Sequence, residues 1–212
     1  IFQRSEFMMM VMIRLQKLCQ TLFLALFLFL LFRGKIPIWM GIFLGSFFLA
    51  LLLGRFYCGW ICPINTTMEV ITKSKHKLGL KNLPIPEFIK KPAVHFTVFA
   101  LFIAAFLFSR ISGQQLPVLP FLFLGGITLT LFFPASLWHR YLCPYAFLLA
   151  LPSKVSLRHL QIDSASCREC GLCAKVCPGD ALKKEHGLHI DKKLCLHCLN
   201  CIRRCPQKAV HY

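Results

Sequence analysis

The stretch Cys167-Arg168-Glu169-Cys170-Gly171-Leu172-Cys173-Ala174-Lys175-Val176-Cys177-Pro178 is repeated in pattern 28 residues on, as Cys195-Leu196-His197-Cys198-Leu199-Asn200-Cys201-Ile202-Arg203-Arg204-Cys205-Pro206. Both runs space their cysteines by two, two and three residues and close on proline. Three thiolates two residues apart wrap one face of an iron–sulfur cube, and in this spacing the fourth ligand comes from the other run. The pattern predicts two [4Fe–4S] clusters. One falls on Cys167, Cys170, Cys173 and Cys205, the other on Cys195, Cys198, Cys201 and Cys177. Proline lacks an N–H and fixes φ, so Pro178 and Pro206 turn the chain away after the last ligand. Between the runs, Gly187 beside Leu188-His189-Ile190 predicts a small hairpin within 179–194. Four-cysteine zinc sites use two Cys-x2-Cys pairs with a longer gap, a poor match. Eight cysteines in 39 residues without a secretory context read as metal ligands rather than disulfides.

Outward from these runs the composition turns apolar. Of 212 residues, 57% are hydrophobic, 21 are Phe and only 16% are charged, against about 25% charged in soluble domains. The apolar residues form blocks at Leu18–Phe32, Ile38–Gly54, Ala93–Phe108 and Leu116–Leu137. A spanning helix takes about 20 residues. Arg14 and Lys17 can snorkel, so the first helix is expected to begin near Met10. Four transmembrane helices are predicted over 1–158, with a two-cluster domain over 159–212. A cleavable signal peptide is a poor alternative for the first block, because no small-residue cleavage site follows its basic flank. The chain begins with Ile1, which leaves its natural start open.

Counting Lys and Arg by segment puts 22 of the 25 on one side of such a bundle. The positive-inside rule then places both termini, the central loop and the cysteine-rich domain on the cytoplasmic face of an inner membrane. The formal charge of +17 falls by about four once two thiolate-bound clusters are counted. Lys73, Lys75, Lys77, Lys81, Lys90 and Lys91 concentrate charge in the central loop, where they suit anionic headgroups or an acidic redox partner. No nucleic-acid-binding motif accompanies them, so nucleic acid is not expected as a partner.

Four cysteines remain. Arg55-Phe56-Tyr57-Cys58-Gly59-Trp60-Ile61-Cys62-Pro63 follows the second block, and Trp138-His139-Arg140-Tyr141-Leu142-Cys143-Pro144 follows the fourth. The second is a copy of the first with His139 in the place of Cys58, so the membrane region reads as a pair of hairpin repeats. Cys19 opens the first helix at the same face. Three readings stand open: buried cysteines that pack as small hydrophobes, a third redox centre on Cys58, Cys62 and Cys143 with Cys19 or His139, and a Cys58/Cys62 dithiol.

The segment 160–212 resembles the bacterial two-cluster ferredoxins. Together with a Cys-x3-Cys-Pro after the second helix and a related motif after the fourth, the chain from Leu15 onward resembles the NapH-type membrane ferredoxins, and the C-terminal half of NosR-type proteins looks similar. In that family the second motif is also Cys-x3-Cys-Pro. The resemblance implies an electron-transfer subunit of an oxidoreductase complex, working between the quinone pool and a partner in a bacterial or archaeal cytoplasmic membrane. His95, at the start of the third block, is a candidate quinone ligand. Gln16 and Gln20 flank Cys19 as candidate quinone hydrogen bonders or plain surface residues, and Glu69 and Glu87 as proton carriers. Gly125-Gly126 is read as a site of close helix packing. No acidic residue lies inside a span, which argues against a built-in proton pump. The rival functions are a thiol-reducing or cofactor-maturation factor using Cys58 and Cys62, and a structural anchor for other redox subunits.

Overall fold

The computed structural model describes residues 2–113, 117–184 and 187–212. The N-terminal region is helical: α1 (Phe2–Phe32), α2 (Pro37–Leu53), α3 (Phe56–Trp60), α4 (Pro63–Lys77), α5 (Pro92–Ile111), α6 (Val118–Phe132) and α7 (Pro144–Ser153). A π turn, Leu137–Leu142, joins α6 to α7. Four of these helices begin on a proline, where its missing N–H costs nothing and its φ suits the helix. The first helix starts well before Met10, since Phe7-Met8-Met9-Met10 continues its apolar, helix-favouring sequence.

Two helical segments are long and apolar enough to cross a membrane, Met8–Phe32 and Pro92–Ser109. The second and fourth apolar blocks form α2 and α6, helices of 17 and 15 residues. Both fall short of the about 20 that a full span takes. Leu116, expected to open the fourth block, lies outside the described residues.

The two repeats interlock. Each consists of a long apolar helix, a short turn bearing the motif, and a helix that begins at the motif's Cys-Pro. The α4 helix of the first repeat packs on α6 of the second, and α7 of the second packs on α2 of the first. Gly126 permits the first of these contacts, because a Cβ there would stand 2.8 Å from Ile64 and 3.2 Å from Trp138. The shared core is aromatic. Trp39 donates its indole N–H to the Tyr57 hydroxyl at 2.8 Å, and Phe43 lies 4.5 Å from Tyr145, ring centre to ring centre.

The C-terminal region is a small α+β unit. Strands β1 (Gln161–Ile162) and β4 (Val210–His211) pair antiparallel and tie its ends together, and β2 (Leu182–Lys184) pairs antiparallel with β3 (Leu188–Ile190). The latter pair is the expected hairpin, whose turn residues 185–186 lie outside the described residues. Helices α8 (Leu172–Lys175) and α9 (Asn200–Arg204) sit inside the two cysteine runs. The backbone repeats with the sequence. Glu169, Gly171 and Asp180 adopt positive φ in the first run, and His197, Leu199 and Lys208 do so at the matching positions of the second. Such left-handed residues turn successive N–H groups to one side, as an anionic cluster requires.

Candidate metal centres

Eleven of the twelve cysteines fall around three small, mostly enclosed cavities. The first is lined by Cys167, Cys170 and Cys173 with Cys205 from the other run. The second is lined by Cys195, Cys198 and Cys201 with Cys177 from the first run. The local fold exchanges the fourth sulfur because α8 and α9 pack side by side. Burial pushes the Cys195 and Cys201 thiols up to about 12, so as bare thiols they stay neutral. Each cavity presents four sulfurs and no carboxylate, a donor set that fits an iron–sulfur cluster and suits hard oxygen-seeking cations poorly. Among the described residues, no group of His, Cys, Asp or Glu converges closely enough to hold a single metal ion. The sulfurs surround a space instead of a point.

The third cavity lies in the helical region. Cys58, Cys62, His139 and Cys143 line it, within walls of Trp39, Tyr57, Trp138 and Tyr145. Cys58 comes from α3 and His139 from the π turn. Cys62 and Cys143 are the N-caps of α4 and α7, with nearly the same backbone angles, φ −65° and ψ 118° against φ −79° and ψ 112°. This explains the Cys-Pro pairing: proline starts the helix, and the cysteine sulfur sits over its free N–H groups. Burial raises both thiols, Cys143 to about 12. The N–H groups of Ile64 and Asn65 beside Cys62, and of Tyr145 and Ala146 beside Cys143, act in the opposite direction. Burial, with help from Arg55, holds the His139 imidazole down to about 3 and therefore neutral. Cys19 does not line this cavity. It is half-buried against the core cluster of the C-terminal unit.

The third cavity stands beside the second. A Cβ on Gly59, the neighbour of Cys58, would lie 2.2 Å from the Leu196 carbonyl oxygen and 2.9 Å from that of His197. Only glycine lets the α3 backbone lie on the loop between Cys195 and Cys198. Trp60 donates its indole N–H to the His197 carbonyl at 3.1 Å. Gln16 and Gln20 are 0% and 2% exposed, and both donate to the Gly59 carbonyl, at 3.0 and 2.9 Å. They are not surface residues: α1 uses them to clamp α3.

Arg55, which sequence reasoning passed over except as a member of the motif, is 1% exposed. It donates to the Lys193 carbonyl at 3.1 Å and to the His139 carbonyl at 3.4 Å, and so ties the π turn to the segment just before Cys195. Its signal in sequence was an arginine set directly before the first motif and directly after an apolar block.

Glu69 also has a structural task. Its carboxylate meets Lys17 at 2.7 Å, Lys73 at 2.9 Å and Arg203 at 3.5 Å, joining α1, α4 and α9. Burial raises its carboxyl, but Lys17 and Lys73 outweigh this and hold it below the usual carboxylate range. Glu87 is exposed and pairs with Lys90 at 2.6 Å. Lys75 is buried and donates to the Thr130 carbonyl, so it does not belong to a surface patch. His95 leaves Nε2 buried without a partner and meets Phe147 ring to ring at 5.1 Å, outside the third cavity. A cleft of about 590 Å³ between α4 and the C-terminal unit is lined by Lys73, Lys77, Lys175 and Arg204 and reaches Cys177 and Cys198.

Comparison with known proteins places both halves of the chain. Residues 36–81 and 115–163, which contain both motifs, match a family model described as a 4Fe–4S binding domain. Residues 166–209 match one described as a 4Fe–4S dicluster domain. An uncharacterized protein of Methanocaldococcus jannaschii is 35% identical over 138 residues, 61% of this chain and 54% of that protein. The putative electron transport protein YccM of Escherichia coli is 31% identical over 153 residues, 61% of this chain and 43% of YccM. The methylamine utilization ferredoxin-type protein MauN of Methylobacillus flagellatus is 29% identical over 143 residues, 59% of this chain and 48% of MauN. The chain thus spans about half the length of the curated relatives it matches. No solved structure matches.

Proposed function

We infer that this chain, which belongs to the ferredoxin-type electron-transport proteins with 4Fe–4S domains, is a membrane-anchored subunit that relays electrons between the quinone pool and a partner oxidoreductase. The observation that carries this reading is the seating of the Cys58-Gly59-Trp60 turn on the Cys195–Cys198 loop, which sets the helical region's sulfur-lined cavity against the nearer one of the C-terminal unit. In this reading Cys167, Cys170, Cys173 and Cys205 hold one [4Fe–4S] cluster and Cys195, Cys198, Cys201 and Cys177 the other. When bound, such clusters supply one-electron chemistry at little structural cost.

The remaining roles belong to the protein. Helices α1, α2, α5 and α6 are the four spans, and the lysines and arginines hold both termini and the C-terminal unit (159–212) at the cytoplasmic face. The exposed apolar side chains support lipid contact. They include Phe48 and Leu52 on α2, and Leu101 and Phe106 on α5, where no residue of the apolar window is buried. Shortfall in α2 and α6 is taken up by local thinning of the bilayer. The basic cleft beside Cys177 and Cys198 is the place where another subunit of the complex reaches the second cluster. His95, with its unpartnered ring nitrogen, is the candidate for a quinone carbonyl. A thiol-reducing role through Cys58 and Cys62 fits less well, because Cys58 is 4% exposed and only Cys62 of the pair is part-exposed, whereas exchange with a client disulfide needs an accessible dithiol.

The test is quinol oxidation by the full chain in nanodiscs, held anaerobically with its clusters reconstituted. A short-chain quinol releases two electrons and two protons on becoming quinone. The expected result is bleaching of the visible iron–sulfur absorption by quinol and its return on adding quinone, with His95→Ala slowing both. Clusters that dithionite reduces but neither quinol nor quinone affects would sink the quinone reading.

A further inference from the structure

The third cavity and the residues packed on it hold buried polar atoms whose needs the protein itself does not meet. Arg55 is 1% exposed and lies against the Cys58 thiol, yet all its hydrogen-bond acceptors are neutral and its Nε has no partner. Among the described residues no carboxylate pairs with it. Leaving a cation buried without a counter-charge is strongly destabilising. His139, 3% exposed, lines the third cavity with Nε2 unpartnered, and a buried orphan of this kind is destabilising unless something pairs with it. The N-termini of α4 and α7 meet here as well, through Cys62 and Cys143, and each adds positive potential. Two helix ends, three thiols and an imidazole therefore surround one small space, with a guanidinium against the outer side of Cys58.

A disulfide does not answer these needs. A bond between Cys58 and Cys62 is neutral, leaves Arg55 uncompensated and gives neither Cys143 nor His139 a task. Zinc requires ligands converging at about 2.0–2.3 Å on one point, and no such group exists among the described residues. What does answer them is an anionic, sulfur-ligated centre larger than one ion.

We propose that Cys58, Cys62, Cys143 and His139 ligate a third iron–sulfur centre, and that Arg55 is its built-in counter-charge. The proposal deepens the electron-relay reading and rests on it for the centre's purpose, not for its existence. An oxidised core of charge 2+ with three thiolates and one neutral imidazole carries about −1. Arg55 cancels this, whether the core holds two irons or four. The imidazole in place of a thiolate raises the reduction potential, and the nearby cation raises it further. Cys19 is left outside the ligand set.

The experiment uses the full chain in nanodiscs, reconstituted anaerobically, with iron counted per chain and the reduced centres examined by EPR and electron–nuclear double resonance. The expected iron content exceeds the about eight atoms that two [4Fe–4S] clusters hold, and falls back to that level in Cys58→Ser/Cys143→Ser. One reduced centre shows a histidine nitrogen coupling. His139→Cys removes the coupling but keeps the iron, and Cys19→Ala changes neither. Arg55→Gln lowers that centre's midpoint potential, and Arg55→Lys restores most of it. Iron at the two-cluster level in the wild type, unchanged in the double serine variant, overturns the third centre while leaving the ferredoxin relay intact. A nitrogen coupling that survives His139→Cys, or third-centre iron lost in Cys19→Ala, overturns the ligand set. A potential unmoved by Arg55→Gln overturns the counter-charge.

Discussion

Glu69 shows how one side chain joins two halves of a molecule. It faces Lys17 on α1 and Arg203 on α9, besides Lys73 on its own helix. Glu69→Gln removes the charge but keeps the shape, and is expected to cost about 1–3 kcal/mol by leaving charged partners unsatisfied. Thermal unfolding followed at the iron–sulfur absorption measures this loss. The sign with pH follows from the depressed carboxyl. Its contribution is fully present above the unfolded value of about 4.3 and is lost as pH falls through the lower folded one. The stability gap between wild type and Glu69→Gln should therefore be constant near neutrality and close on acidification; a gap that widened there would contradict the pairing. Gly59 offers a second residue-scale test. Gly59→Ala pushes a methyl into the Leu196 carbonyl, an overpacking expected to cost about 1–3 kcal/mol. It should also weaken the magnetic coupling between centres on either side of the turn, as seen in EPR line shapes. A variant with wild-type stability and coupling would show that the two backbones do not meet there.

Among the elements, the repeat was legible in the sequence and its interlocking was not. The two motifs, 81 residues apart, announce two hairpins because Cys-Pro both ends one element and starts another. Nothing in either motif says that α4 packs on α6 and α7 on α2. That exchange depends on the small surface at Gly126, legible only as a place of close approach. Gly126→Val is expected to force Ile64 and Trp138 apart, since both already stand at or within contact distance of a Cβ. The cost should be about 1–3 kcal/mol, read as a lowered unfolding midpoint in detergent with the two-cluster EPR signal retained. Loss of that signal with no change in midpoint would mean the element serves the C-terminal unit instead. Within that unit, the hairpin could be read from Gly187 beside an alternating stretch. The matched left-handed residues could be anticipated at Gly171 but not at Leu199, where the same turn is imposed on a branched side chain.

Across the molecule as a whole, charge and apolar length point to orientation and span. Twenty-two of 25 basic residues fall on one side of the expected bundle. A fluorescent protein fused after Tyr212 should fold and fluoresce, whereas alkaline phosphatase at the same place should stay inactive; the reverse pattern would invert the topology. Length is the weaker signal. Apolar blocks at four places predict four spanning helices, but α2 and α6 stop at Leu53 and Phe132, where the chain turns to build the third cavity. The cysteine spacing, the repeat and the charge asymmetry could be read before any fold was known, because thiol geometry, proline and burial act over a few neighbouring residues. Which leftover cysteines meet is a matter of long-range packing. Cys19 and His139 lie 120 residues apart, and only the packing of α3 and the π turn admits the imidazole to the cavity and turns the thiol away. The same holds for Arg55: a basic residue at the end of an apolar block normally faces headgroups, and here the C-terminal unit closes over it.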